Sequence, residues 1–183
     1  MCMYFDKTTH PNGGFTASED IVCYKVLRER WGNYASPFYS DKTWKVGELC
    51  KTEIKEEKCG VIKLTYFYNQ RKCWRTALIS EKEHKANIEG KIYSTYAKIE
   101  SKKVYGLGII ENGFYCCASF MNFFMRNFLD NMMLTPYYIG RFTIPKGSRY
   151  YVGDDAITIV SDTLRFDGVV GGYKYGKFFT PNF

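Results

Sequence analysis

Residues 111–166, ENGFYCCASFMNFFMRNFLDNMMLTPYYIGRFTIPKGSRYYVGDDAITIVSDTLRF, constrain the fold more than any other stretch. Ser119 is a candidate N-cap. Phe120, Phe123, Phe124, Phe128 and Met132 then recur at the three-and-four spacing of one apolar helical face, opposite Asn122, Arg126 and Asp130. Thr135-Pro136 stops that pattern. The spacing predicts a helix over 119–134, read as core and not as a cofactor box. Phe114–Cys117 reads as a short strand before it. Tyr137–Ile144, Arg149–Val152 and Ala156–Phe166 read as strands after it, separated by the turns Pro145-Lys146-Gly147-Ser148 and Gly153-Asp154-Asp155. The expected class is therefore α+β: a twisted, mostly antiparallel sheet packed on one main helix at 119–134, with a β-hairpin insertion.

The rest of the chain fits around that core. Asp20–Leu27 (DIVCYKVL) is a buried strand with Ile21, Cys23 and Lys25 on one face and Val22, Tyr24 and Val26 on the other. Arg28–Ser40 reads as a long aromatic loop and Asp41–Leu49 as a short strand carrying Trp44. Residues 50–110 read as the insertion. Gly60–Tyr68 and Arg71–Ile79 pair about Asn69-Gln70, Ser80–Asn87 forms an exposed helical turn, and Lys91–Ser101 and Lys103–Ile110 make a second strand pair. Ser80 with Glu83 three residues on has the spacing of a capping box. A length of 183 residues suits one domain over 1–183. Residues 167–183 form an aromatic, Gly-rich tail without a clean period.

Composition adds a β bias, because aromatics make up 18% of the chain and suit pleated, half-buried surfaces. The net charge of +7 is concentrated: residues 51–103 hold 13 basic and 7 acidic side chains. That insertion is a candidate surface for nucleic acid, or a solvated pair of hairpins with lysines guarding their edges. Seven cysteines is an odd number, and Met1–His10 has no apolar leader core, so reduced thiols in a cytoplasm are expected. The densest apolar run, Phe120–Leu134, is interrupted by Asn122, Arg126, Asn127, Asp130 and Asn131, so no membrane span is expected.

Catalytic constellations are missing. The two histidines, His10 and His84, sit far apart in polar segments, and the chain has no CxxC and no phosphate-loop or dinucleotide fingerprint. The Asp154-Asp155 pair belongs to a turn. Adjacent Cys116 and Cys117 point to opposite strand faces. The residues imply no cofactor and no metal.

Three features are candidates for binding. They are the aromatic loop Trp31–Trp44, the strand Phe114-Tyr115-Cys116 leading to a helix N-terminus, and the basic turn Lys146-Gly147-Ser148-Arg149. Lys25 reads either as a snorkelling edge residue or as a pocket lysine for an anion. The candidate ligand-binding set is Tyr24, Lys25, Trp44, Phe114, Tyr115, Cys116, Lys146, Ser148 and Arg149. A ligand is expected where the two rims meet the Tyr24-Lys25 strand. The expected partner is a host protein or a small anionic or nucleotide ligand, with the oligomeric state open.

The pieces Ile21–Val26 (IVCYKV), Trp44-Lys45-Val46-Gly47, Gly113-Phe114-Tyr115 and Ile144–Ser161 (IPKGSRYYVGDDAITIVS) resemble a family of small uncharacterised proteins of bacteriophages and gut-bacterial mobile elements. The resemblance covers residues 21–49 and 111–166. Tyr115 stands where the family usually has His. It implies a phage or mobile-element origin and a host cytoplasm, and it brings no mechanism. A weaker resemblance is to ADP-ribosyltransferase-like folds, through Tyr24-Lys25-Val26, Tyr93-Ser94-Thr95-Tyr96 and Ile144-Pro145-Lys146-Gly147-Ser148. That one implies an NAD-using enzyme with Lys25, Ser94 and Asp162 in one cleft, although the family's late Glu is replaced in Ser161-Asp162-Thr163-Leu164. The reading favoured is a non-catalytic cytoplasmic binding protein. The alternatives are that transferase and a virion or assembly protein.

Overall fold

Strands dominate the computed structural model, which describes residues 3–10, 13–36, 43–57, 59–68, 72–89, 97–119, 136–174 and 177–180. In chain order the strands begin β1 (Met3–Asp6), β2 (Phe15–Thr16), β3 (Ile21–Arg30), β4 (Asn33–Ala35), β5 (Thr43–Trp44) and β6 (Leu49–Lys51). Next come β7 (Lys55–Glu57), β8 (Val61–Tyr68), β9 (Cys73–Ser80), the helix α1 (Glu81–Glu89), β10 (Ala97–Val104), β11 (Leu107–Asn112) and β12 (Phe114–Cys117). The last are β13 (Tyr137–Ile144), β14 (Arg149–Val152), β15 (Thr158–Ser161), β16 (Thr163–Lys174) and β17 (Lys177–Phe179).

This corrects the expected α+β packing. The fold is mostly β, and among the described residues the one helix is the short, polar α1. The helix expected over 119–134 lies, apart from Ser119, outside the described residues. The reason for the error is physical. A single strongly periodic segment outweighed many short strands whose partners are distant in sequence, and strand pairing leaves little trace in a local window.

The chain divides into two compact units: Met1–Pro11 with Lys55–Asn112, and Asn12–Ile54 with Gly113–Phe183. In the first, β11 sits between β1 and β7, and β8 sits between β10 and β9, all antiparallel. Met3, Phe5, Ile109 and Ile110 are buried on one sheet, and Ile62, Leu64 and Ile79 cluster on the other. The expected pairing of 60–68 with 71–79 is found as β8 with β9, in the register Val61↔Ser80 to Tyr68↔Cys73. Ser80 caps α1, its Oγ accepting from the Glu83 amide at 3.0 Å.

The second unit is one 11-stranded sheet with the order β17-β16-β13-β3-β12-β15-β14-β2, to which β4, β5 and β6 add. Its inner face closes on Cys23, Leu27, Trp44, Phe114, Cys116, Phe142, Ile144, Ile159, Leu164 and Phe166. Residues from strands well apart in that order share this core, so the sheet curls around it. Two register shifts in the β13–β16 ladder, at Ile139/Gly140 and Arg141/Phe142, provide the bend. Gly140 matters for a second reason: a Cβ there would lie 2.6 Å from both Leu27 Cδ1 and Phe142 Cε2. Part of the supposed tail, residues 167–174, forms the last eight residues of β16, the twelve-residue strand that pairs with β13, β17 and β6.

Candidate functional site

β3 alternates as its sequence requires. Cys23 and Leu27 point to the inner core with Ile21 packed against it, while Tyr24 and Val26 pack on the opposite face with Cys117, Tyr137 and Ile139. Lys25 falls on the inner face by that alternation, opposite Gly140 in the β3–β13 register. Its ammonium donates to the Tyr115 carbonyl. β12 lies on the other side of β3, with Cys117 opposite Tyr24. Tyr24, Lys25, Phe114, Tyr115 and Cys116 therefore lie on the adjoining strands β3 and β12, with Phe114 and Cys116 on the inner face and Tyr24 on the opposite one.

Phe114 and Cys116 lie in the packed inner core, whereas Tyr24, Lys25 and Tyr115 are half-buried. Phe114 is buried against Trp44, ring centroids 5.6 Å apart at 65°. Cys116 is buried and its Sγ lies 3.6 Å from the Ile159 carbonyl. Burial, and then contact with the Cys116 thiol, holds the Cys23 thiol well above the ordinary value of 9.0. These side chains give the interior its shape. The anion site expected at the helix N-terminus after Cys117 falls on residues outside those described.

The second rim is a separate turn. The Lys146 amide donates to Asp20 Oδ1 at 2.9 Å, while the Lys146 side chain is exposed. Ser148 is buried, and its carbonyl accepts from the Ala17 amide at 2.9 Å. Arg149 donates Nη2 to the Ile54 carbonyl at 3.3 Å and its amide to Asp162 Oδ1 at 3.1 Å. Ser161 joins this turn to the first group: it pairs with Phe114 on one side and Tyr150 on the other, and its Oγ donates to the Arg149 carbonyl at 3.1 Å. Asp162 also accepts from Thr163 Oγ1 at 2.9 Å, so its carboxylate serves the turn. Ser94 lies outside the described residues.

An open cleft exists elsewhere in the same unit. It has about 430 Å³ and is lined by Arg28, Glu29, Trp31, Pro136, Tyr138 and Lys174. The segment read as a long loop begins here as a hairpin, β3 and β4 joined by the two residues Trp31 and Gly32 between the pair Arg30↔Asn33. Both carry positive φ, 53° and 76°, the signature of a type I′ turn. Gly32 suits that turn. Trp31 does not, because a bulky L-residue in the left-handed region is strained, and its side chain is 99% exposed. Glu29 accepts from the Tyr138 hydroxyl. Among the described residues no carboxylate pairs with Arg28. Tyr138 and Lys174 reach this cleft through the β3–β13–β16 ladder, in which Tyr138 pairs with both Leu27 and Gly172. Trp31 was legible as part of an aromatic loop. Its neighbours Tyr138 and Lys174 were not, because their juxtaposition depends on pairings across more than a hundred residues.

Among the described residues no group of three His, Cys, Asp or Glu side chains is placed to hold a metal, and no helix is long and apolar enough to cross a membrane. No family model matches the chain, and no curated protein or solved structure is significantly similar to it.

Proposed function

We propose that this chain is a non-catalytic binding protein for a small anionic ligand of the nucleotide class, held in the cleft beside Trp31. The observation that carries the reading is Trp31 itself. A fully exposed indole in a left-handed turn conformation contributes almost no burial to the fold and costs about 1–3 kcal/mol in strain. A flat ligand stacked on it gives that strain a use. Arg28 and Lys174 offer cationic groups for phosphate, and Glu29, oriented by Tyr138, offers an acceptor for a sugar hydroxyl or an exocyclic amine. The resemblance to phage and mobile-element proteins supports a host cytoplasm as the setting of this reading, in which such a protein would sequester or sense the ligand.

The test is calorimetric titration with AMP, ATP and NAD, alongside assays for their turnover. Binding without turnover, lost in Trp31→Ala and weakened in Arg28→Gln, supports the reading. Equal binding by Trp31→Ala sinks the site. Turnover of NAD would favour the NAD-using transferase, and turnover of AMP or ATP would likewise end the non-catalytic reading.

A further inference from the structure

The first unit carries a surface that the Trp31 cleft does not explain. Along β8, residues 61, 63, 65 and 67 point to one face, opposite the Ile62–Leu64 cluster. The registers place Lys102 directly opposite Lys63 on one side, and Trp74 opposite Phe67 on the other. Lys63 and Lys102 are exposed, and among the described residues neither has a carboxylate partner. Like charges directly opposite on a sheet face destabilise it, so this pair is a poor choice for stability alone. Four residues further along β8, about 13 Å away, Phe67 and Trp74 meet edge to face at 5.6 Å and 70°. Trp74 remains 52% exposed. Thr65 lies between the two ends, with Glu100 opposite it. The unit as a whole holds 13 basic and 8 acidic side chains.

We infer that this face of β10-β8-β9 binds single-stranded nucleic acid. Phosphates would lie between Lys63 and Lys102, removing their repulsion, while unstacked bases would lie on Trp74 and Phe67. An open sheet face with aromatic platforms and cations to one side suits single strands, whose bases expose their π-faces, and not a duplex, whose bases are stacked internally. Glu100 argues for this polarity: it repels phosphate at mid-face and leaves the lysine end as the backbone site. The inference rests on residues distinct from the Trp31 cleft and stands or falls without it.

The experiment is fluorescence anisotropy with a fluorescein-labelled oligothymidylate and with its duplex, using the full chain over a range of salt. Single strand should bind more tightly than duplex. Trp74→Ala should weaken binding by about tenfold or more, and Trp74→Phe should retain most of it. The Lys63→Gln/Lys102→Gln pair should reduce the slope of log affinity against log salt by about 1.4. Circular dichroism confirms that each variant folds, and Trp31→Ala should bind the oligonucleotide as wild type does. Equal affinity for duplex, an unchanged Trp74→Ala, no binding at low salt, or equal competition by polyglutamate would each overturn the assignment.

Discussion

The indole of Trp44 stands edge-on to Phe142, ring centroids 4.9 Å apart and planes at 80°. Phe114 meets the same indole at 5.6 Å, and Trp44 is 3% exposed. A residue that reads from sequence as a binding-loop aromatic is thus a keystone of the second unit's core. Trp44→Ala should cost about 3–5 kcal/mol, seen as a lower urea midpoint, while Trp44→Phe should cost less. An alanine variant within measurement error of wild type would show that β5 does not close this core.

Gly140 should be equally intolerant, for the opposite reason. A Cβ there would press on Leu27 and Phe142, both fully buried, so neither can swing aside. Gly140→Ala is expected to lower stability by about 1–3 kcal/mol through overpacking. Differential scanning calorimetry checks it, and an unchanged melting temperature would refute the close packing.

Trp31→Asn should do the reverse. It creates Asn-Gly, the preferred pair for a type I′ turn, and removes almost no buried surface. Stability should rise by about 1 kcal/mol while nucleotide binding is lost. A destabilised variant would mean that the indole supports the fold, which removes the argument from strain.

Cys23 predicts a pH dependence. Burial first, and then the neighbouring Cys116 thiol, raise its folded-state value above the unfolded 9.0. The folded chain therefore keeps the proton that the unfolded chain releases. The resulting stability is fully present below the unfolded value and declines as pH rises toward the folded one. Between about pH 8 and about pH 10, urea stability should fall more in wild type than in Cys23→Ala, each compared with its own value at the lower pH. Parallel losses would show that Cys23 does not titrate differently on unfolding.

Several elements were legible because their causes are local. The two faces of β3 follow from alternation at Cys23, Tyr24, Val26 and Leu27. The Ser80 cap follows from its spacing to Glu83, and the Lys146-Gly147 turn from a glycine at φ 84°. The β8–β9 pairing was read from two adjacent alternating runs. Phe114, Tyr115 and Cys116 were read as a strand, and that strand is β12, beside Tyr24 and Lys25 on β3. That Phe114 and Cys116 pack an interior was not legible, since alternation tells which face a side chain takes and not whether that face is covered.

By itself, then, the sequence determined the strand-favouring composition, the alternation within strands, the local caps and turns, and the concentration of positive charge in the middle of the chain. Tertiary structure alone decided that β1 pairs with β11, that β16 continues to Lys174 between β13 and β17, and that Tyr138 and Lys174 stand beside Trp31. The physical reason is the range of the interactions. Turns and caps are settled within a few residues, whereas strand pairing across a hundred residues is settled by which arrangement buries the most apolar surface in the chain as a whole.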